Sequence, residues 1–178
     1  MLKPAKMYEG QLKMKMAEIM FDLEYMYSDV RSWRDEVELA TDTWNRHEFV
    51  SVNENDEVIG FMGYSINRDS RCCYALQIIN FKKDTLSATF GKDLMQLFKD
   101  IFMKFHFRKL KFGVTIGNPA EKFYDKYLDK IGGRVVGIYK EEDILMDGNL
   151  YDFKAYEILD KDFLKAILKN SKLFKGDN

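Results

Sequence analysis

The chain has 178 residues, of which 46% are hydrophobic and 15% aromatic, and its 28 lysines and arginines nearly balance 29 aspartates and glutamates. This composition excludes a chain that is disordered throughout, because it supplies enough apolar surface to offset the entropy lost on folding. A net charge of −1 also excludes a large basic surface for duplex nucleic acid.

The first part of the chain has the three- and four-residue spacing of amphipathic helices. One apolar face consists of Leu12, Met16, Ile19, Met20, Leu23 and Tyr27. A second consists of Val30, Trp33, Val37, Ala40 and Trp44, with Asp29 as the expected N-cap. The pattern predicts a pair of helices within residues 1–47 that pack these side chains into a core.

From Phe49 onward the spacing changes to that of β-strands. Residues 49–52 and 58–66 flank a polar turn at 53–57 and predict a hairpin, which residues 71–82 extend as a third strand. A helix is predicted next, and its apolar face consists of Leu94, Leu97, Phe98, Ile101 and Phe105.

The rest of the chain predicts a strand, a helix, a hairpin and a final helix. Residues 109–116 alternate as a strand, and Asn118, Pro119, Gly132 and Gly133 delimit the helix that follows. Its expected buried face consists of Phe123, Tyr124, Tyr127, Leu128 and Ile131. Residues 134–146 and 150–159 predict a hairpin around Asp147-Gly148-Asn149, and residues 160–173 predict a short amphipathic helix with Phe163, Leu164, Ile167 and Leu168 inward.

The cysteines and the hydropathy pattern bear on the compartment. Cys72 and Cys73 are adjacent and cannot easily reach disulfide geometry, so we expect a reduced protein. No apolar run approaches the ~18 residues of a membrane span, so we expect a soluble, cytoplasmic protein without a membrane partner. His47 and His106 are far apart and the cysteines lack zinc-site spacing, so no metal is expected.

Three motifs carry a resemblance to a known family. Ile79-Asn80-Phe81, a polar loop and Gly91-Lys92-Asp93-Leu94 form the first; residues 118–124, Asn-Pro-Ala-Glu-Lys-Phe-Tyr, form the second; residues 131–137, with Gly132, Gly133 and Gly137, form the third. In this order they resemble the GNAT superfamily of N-acetyltransferases over residues 49–159. The first is similar to the family's pyrophosphate loop, except that Leu86 stands at the Arg or Gln position and Thr89 at a Gly position.

The resemblance implies an α/β (α+β) fold, in which a mixed, mostly antiparallel central sheet has helices on both faces. It implies a helical, substrate-side region at residues 1–47, an acyl-CoA core at 48–159 and a C-terminal helix at 160–178. No linker, repeat or shift in charge marks a boundary, so we expect a single domain over residues 1–178.

Acetyl-CoA is the co-substrate that the resemblance implies. A diphosphate is well held by backbone N–H groups at a helix N-terminus, and residues 85–92 are expected to form such a cradle. The binding residues implied are Ile79, Asn80, Phe81, Ser87, Ala88, Thr89, Phe90, Gly91, Lys92 and Asn118. Lys82, Lys83 and Lys92 are expected to add charge, and the alternative for each lysine is an ordinary solvated side chain.

Tyr124 matches the tyrosine that the family uses as the general acid for the departing thiolate. The alternative is an ordinary core tyrosine with its hydroxyl at the surface. The family polarises the thioester carbonyl with backbone N–H groups that correspond to residues 79–81. The general base stays open: Glu141, Glu142, Asp143, Asp152 and His47 are candidates, and each is also explained as a solvated charge.

The predicted function is transfer of acetyl from acetyl-CoA to a primary amine, on a small molecule or a protein, by direct sequential transfer. A homodimer is compatible with this function. Because the loop departs from the family pattern, the alternative is an inactive GNAT-fold module that binds CoA or another protein. A third hypothesis is a structural assembly protein whose aromatic surface pairs subunits.

Overall fold

The computed structural model describes residues 1–28, 39–40, 43–82 and 87–170, and seven strands in this part of the chain form one sheet in the order β1-β2-β3-β4-β5-β7-β6. The strands are β1 (Leu2–Pro4), β2 (Arg46–Val52), β3 (Val58–Asn67), β4 (Cys72–Asn80), β5 (Lys109–Thr115), β6 (Gly133–Ile144) and β7 (Leu150–Leu159). Neighbouring strands run antiparallel except β4 and β5. The predicted mixed, mostly antiparallel α/β sheet is confirmed.

Four helices cover the two faces of this sheet: α1 (Glu9–Ile19), α2 (Ala88–Lys99), α3 (Ala120–Ile131) and α4 (Asp160–Lys169). Leu12, Met16 and Ile19 of α1 pack against β2 to β4 on one face. The other three helices bury Phe90, Leu94, Leu97, Phe98, Leu128, Ile131 and Phe163 on the opposite face. Burial of each such side chain contributes about 1.5–3 kcal/mol, so these two clusters hold the helices on the sheet.

The N-terminal region differs from the expectation. The first predicted helix is too long: α1 ends at Ile19, and Asp22 accepts a hydrogen bond from the Glu24 N–H at 3.0 Å, which starts a separate 3₁₀ turn at Leu23–Tyr25. A short acidic side chain competes for backbone donors in this way. Strand β1 was not predicted, since three residues are too few for an alternating pattern.

The second predicted helix falls mostly on residues 29–38 and 41–42, which lie outside the described residues. Two of its apolar residues are described: Ala40 lies outside any helix and is half-buried, and Trp44 lies in a turn and is 65% exposed. The predicted core position of Trp44 is therefore wrong.

The predicted order of strands and helices from Phe49 onward is confirmed, with changes at helix ends. Helix α2 stops at Lys99 and continues as a π turn, Asp100–Lys104, while α4 stops at Lys169 and leaves Leu164 and Leu168 exposed. Gly132 ends α3 as predicted. Its φ is +76°, and a Cβ atom there would lie 2.3 Å from the Asp162 carbonyl oxygen, so only glycine fits.

No helix in the described part of the chain is both long enough and apolar enough to cross a bilayer. Among the described residues, no three His, Cys, Asp or Glu side chains are grouped to hold a metal ion. Cys72 and Cys73 are both buried as free thiols.

Candidate active site

A cleft opens in the middle of the sheet, where β4 and β5 separate. The two strands pair only at Cys72 with Lys109 and at Cys73 with Leu110. A bulge in β4 follows, since Ser65 pairs with Tyr74 but Gly63 pairs with Gln77, and Ala75 within it has a φ of +49°. Bulges bend a strand. Beyond it the gap widens into a cleft of about 1300 Å³.

The N-terminus of α2 lies at the end of β4. The Ser87 hydroxyl accepts from the Phe90 N–H at 3.1 Å, and the Ala88 and Thr89 N–H groups have no partner among the described residues. Phe90 lines the cleft and packs directly on Gly60 of β3. This contact places the N-terminus of α2, with the Ala88 and Thr89 N–H groups, beside the cleft.

Backbone donors of β4 also face the cleft. The Phe81 N–H donates to the Ile59 carbonyl oxygen of β3 at 3.0 Å. Donors alternate in direction along an antiparallel strand, so the N–H groups of Ile78 and Asn80 point to the side that β5 has left. Of the backbone donors predicted at residues 79–81, the one at Asn80 is therefore the one directed into the cleft.

The structure brings together part of the predicted binding set. The cleft is lined by Ile79, Asn80, Phe90, Asn118 and Tyr124. Ser87, Ala88, Thr89, Gly91 and Lys92 lie in the first turns of α2, and Phe81 packs towards α1 instead. Residues 83–86, which include Lys83, Thr85 and Leu86, lie outside the described part of the chain.

Asn118 accepts two hydrogen bonds at the start of α3. Its side-chain oxygen accepts from the Ala120 N–H at 2.9 Å, and its carbonyl oxygen accepts from the Glu121 N–H at 2.9 Å. It therefore caps the start of α3, as predicted, and this cap places Tyr124 one turn further on at the cleft wall.

Tyr124 is held by other aromatic rings. Its ring lies edge-on to Phe112, with centroids 5.4 Å apart, and 5.9 Å from the ring of Tyr156. Its hydroxyl has no hydrogen-bond partner within the described residues, and burial raises the pKa of the phenol. The hydroxyl therefore stays protonated at neutral pH, and Tyr124 is one of the residues that line the cleft.

The five residues predicted as candidates for the general base lie in different parts of the structure. Asp152 accepts from Lys140 at 2.7 Å, which lowers the pKa of its carboxyl, and Glu141 and Glu142 are exposed outside the cleft. His47 faces the other side of the sheet, where its Nδ1 lies 2.8 Å from the Tyr64 hydroxyl. Of the five candidates, Asp143 is the one that lines the cleft.

Several charged residues of the cleft were missed from the sequence, among them Arg46 and Glu48. Arg46 and Glu48 of β2 line it, with Arg46 Nε 2.6 Å from a Glu48 oxygen and the Ala40 N–H donating to the other oxygen at 2.8 Å. The sequence contained a usable pattern, because residues two apart on a strand point to the same face, as Arg46 and Glu48 do. It was overlooked because the predicted strand began at Phe49.

His47 yields a prediction about stability rather than catalysis. Desolvation by burial, together with the charges of Arg68 and Lys104, lowers the pKa of His47 below its usual 6.5. The unfolded chain then binds this proton more readily, so the stabilisation is present above pH ~6.5 and is lost as the pH falls through the folded pKa. We expect His47→Gln to make the free energy of unfolding decline less steeply below pH ~6.5, as measured by urea denaturation at several pH values.

The exposed His106 offers the matched control. His106→Asn should retain the steep decline of the parent protein. An equal acid sensitivity in His47→Gln and the parent would contradict the assignment to His47.

A split sheet with a helix N-terminus at its mouth and a protonated phenol on its wall suits group transfer from an elongated, anionic carrier. The sequence matches the profile of the Acetyltransferase (GNAT) family over residues 15–129. This match spans more than half of the chain, which therefore belongs to the GNAT family of acetyltransferases. The matched range includes the first two motifs described above and ends before the third.

Solved structures share the fold. The spermidine/spermine N-acetyltransferase SpeG from Vibrio cholerae, in complex with manganese ions, has 23% identity and a TM-score of 0.58, covering 69% of this chain and 70% of that one. A chimera of that enzyme with hSSAT has 22% identity and a TM-score of 0.59, covering 69% and 73%. No curated protein sequence matches the chain.

Proposed function

We propose that the protein transfers the acetyl group of acetyl-CoA to a primary amine in one direct, sequential step. The observation that carries this proposal is that Tyr124, whose hydroxyl is protonated and has no hydrogen-bond partner among the described residues, lines the cleft between β4 and β5. Membership of an acetyltransferase family supports the same reaction.

The residues present fit acetyl-CoA. A diphosphate suits the Ala88 and Thr89 N–H groups at the start of α2, which have no partner among the described residues, and the helix dipole there also favours an anion. An extended amide-containing arm suits the part of β4 that has no neighbouring strand on the β5 side among the described residues, with Ile78 and Asn80 as backbone donors. Lys82, exposed at the end of β4, adds a positive charge at the mouth.

The chain's own groups then have separate tasks. Acetyl-CoA supplies the thioester, whose C–S bond breaks as the C–N bond to the amine forms. The N–H donors of β4 polarise the carbonyl oxygen, and Tyr124 gives its proton to the departing sulfur. The attacking nitrogen loses a proton to water, and water returns one to Tyr124, so the enzyme is restored.

Polyamines are the first acceptors to test. The solved neighbours are described as spermidine N-acetyltransferases, and this supports spermidine as the acceptor probe. Acidic side chains on the cleft wall, including Glu24, Glu48 and Asp143, are compatible with a cationic acceptor.

Gly91 tests the position of the cofactor. It lies in the first turn of α2, where its N–H donates to the Ser87 carbonyl oxygen at 3.0 Å, and glycine is intrinsically poor in a helix. Acetyl-CoA at about 100 times its Kd should raise the Tm of the parent protein by roughly 5–10 °C. We expect Gly91→Val to remove this shift, because a branched side chain would block close approach of the diphosphate to the backbone.

Gly10, a helical glycine in α1 with open space around it, provides the matched control. Gly10→Val should keep the full thermal shift. A parent protein that shows no shift at millimolar acetyl-CoA would overturn the proposed function, and a Gly91→Val protein that keeps the shift would overturn this placement of the cofactor.

A further inference from the structure

Strand β6 contains an irregularity beside the cleft. Tyr139 pairs with Phe153 and Asp143 with Tyr151, so the β6 side of this step is two residues longer than the β7 side. Within the bulge Glu141 has a φ of +52°, a strained value for a residue other than glycine. Bulges of this kind often redirect a side chain next to an active site.

The bulge is held in place by Asp152 of β7. One Asp152 oxygen accepts from the Glu141 N–H at 3.0 Å, and the other accepts from Lys140 Nζ at 2.7 Å. These two bonds fix the backbone of the bulge. Both oxygens of Asp152 are therefore engaged in holding the bulge, which gives this candidate for the general base a structural role.

Asp143 follows the bulge and reaches across the sheet. The Thr115 hydroxyl of β5 donates to Asp143 Oδ2 at 2.6 Å, although β7 lies between β5 and β6. Strands two positions apart are separated by roughly 10 Å, so a regular strand would not bring these side chains together. The irregular pairing at the bulge therefore accompanies a position of Asp143 from which its side chain reaches Thr115 and the wall of the cleft.

Asp143 differs from two other acidic residues of the cleft because it has no basic partner among the described residues. Glu48 is paired with Arg46, and Glu157 is paired with both Lys109 and Arg134. Asp143 has only the neutral Thr115 hydroxyl as a partner among the described residues. A half-buried carboxylate that lines the cleft and has one oxygen held by a neutral hydroxyl is suited to bind a cation there.

We propose that Asp143 binds a positively charged nitrogen of the acceptor, and that the β6 bulge exists to place it there. The inference rests on the proposed acetyl transfer, of which it names the acceptor-binding group. Asp143 Oδ1 accepts a charge-assisted hydrogen bond from the acceptor, while Thr115 keeps the carboxylate oriented.

The test measures binding of spermidine to the full chain saturated with coenzyme A, by calorimetry, so that no turnover is needed. Asp143→Asn keeps the shape of the side chain and an acceptor for Thr115 but removes the charge. We expect it to weaken spermidine binding by about 10- to 100-fold, the effect of losing a hydrogen bond to a charged group. The affinity for coenzyme A and the Tm should not change, and Asp143→Glu should recover part of the lost affinity.

Glu142→Gln is the matched control, since it removes the same charge one residue away, at an exposed side chain. It should leave spermidine affinity within about twofold of the parent, because a surface charge contributes little. Unchanged binding in Asp143→Asn, an equal loss in Glu142→Gln, or no binding of spermidine by the parent would each overturn the inference.

Turnover separates this inference from the proposed function. If the parent binds spermidine through Asp143 but consumes no acetyl-CoA with any amine, the acetyl-transfer proposal fails and the Asp143 site stands. If acetyl-CoA is consumed with an amine whose KM is the same in Asp143→Asn, the transfer proposal stands and the Asp143 site is overturned.

Discussion

Tyr124→Phe is expected to lower kcat by about 10- to 10⁴-fold, the usual contribution of a general acid, while leaving the Kd of acetyl-CoA unchanged. The substitution keeps the ring that packs on Phe112 and Tyr156 and removes only the hydroxyl. Because that hydroxyl has no partner within the described residues, its loss breaks none of their hydrogen bonds. Steady-state kinetics with spermidine, alongside calorimetry with acetyl-CoA, would measure the two effects separately.

Tyr127→Phe provides the comparison on the same helix. Tyr127 is half-buried and its ring stacks on Phe123 at 4.4 Å, but it does not line the cleft described above. It should retain full turnover. If the folded Tyr124→Phe protein is as active as Tyr127→Phe, Tyr124 is a packing residue and the thiolate takes its proton from water.

Gly60→Ala is expected to destabilise the protein by about 1–3 kcal/mol, as overpacking of a filled core does, and to weaken acetyl-CoA binding as well. A Cβ atom on Gly60 would lie 2.1 Å from the Phe90 ring and 2.8 Å from the Ile79 carbonyl oxygen. The first turn of α2 would have to move away from β3, and the donors of Ala88 and Thr89 would move with it. Urea denaturation and acetyl-CoA calorimetry would report the two consequences.

A second substitution can relieve part of this clash. Phe90→Leu shortens the side chain that meets the new methyl group, so the double variant should bind acetyl-CoA better than Gly60→Ala alone. Gly137→Ala is the control, because a Cβ atom there meets nothing within 4 Å. Equal acetyl-CoA affinity in Gly60→Ala and the parent would show that the contact between α2 and β3 does not determine the position of the acetyl-CoA site.

Much of the fold was predictable where individual residues mark the end of a helix or a turn. Helix α3 was placed correctly because Asn118 and Gly132 mark its two ends with residues that only a cap or a left-handed turn requires. The hairpin at residues 147–149 has the same kind of signal. Where an acidic side chain ended a helix early, as at Asp22, apolar spacing alone continued past the true end.

The candidate site was predictable only in part, because its shape depends on long-range pairing. Tyr124 and the start of α2 were found from motifs, but the separation of β4 from β5 follows from a bulge at Ala75. Ala75 and Glu141 adopt positive φ without being glycine, so nothing in their residue type announced either bulge. The contact between Asp143 and Thr115, across an intervening strand, has no counterpart in sequence spacing.

The sheet consists of two groups of strands, here called panels, that are joined by only a short stretch of backbone pairing. Strands β1 to β4 form one panel and β5 to β7 the other, and two residue pairs join them, whereas three to eight pairs join every other pair of neighbouring strands. A change in the angle between the panels therefore strains fewer backbone hydrogen bonds at this junction than at any other in the sheet.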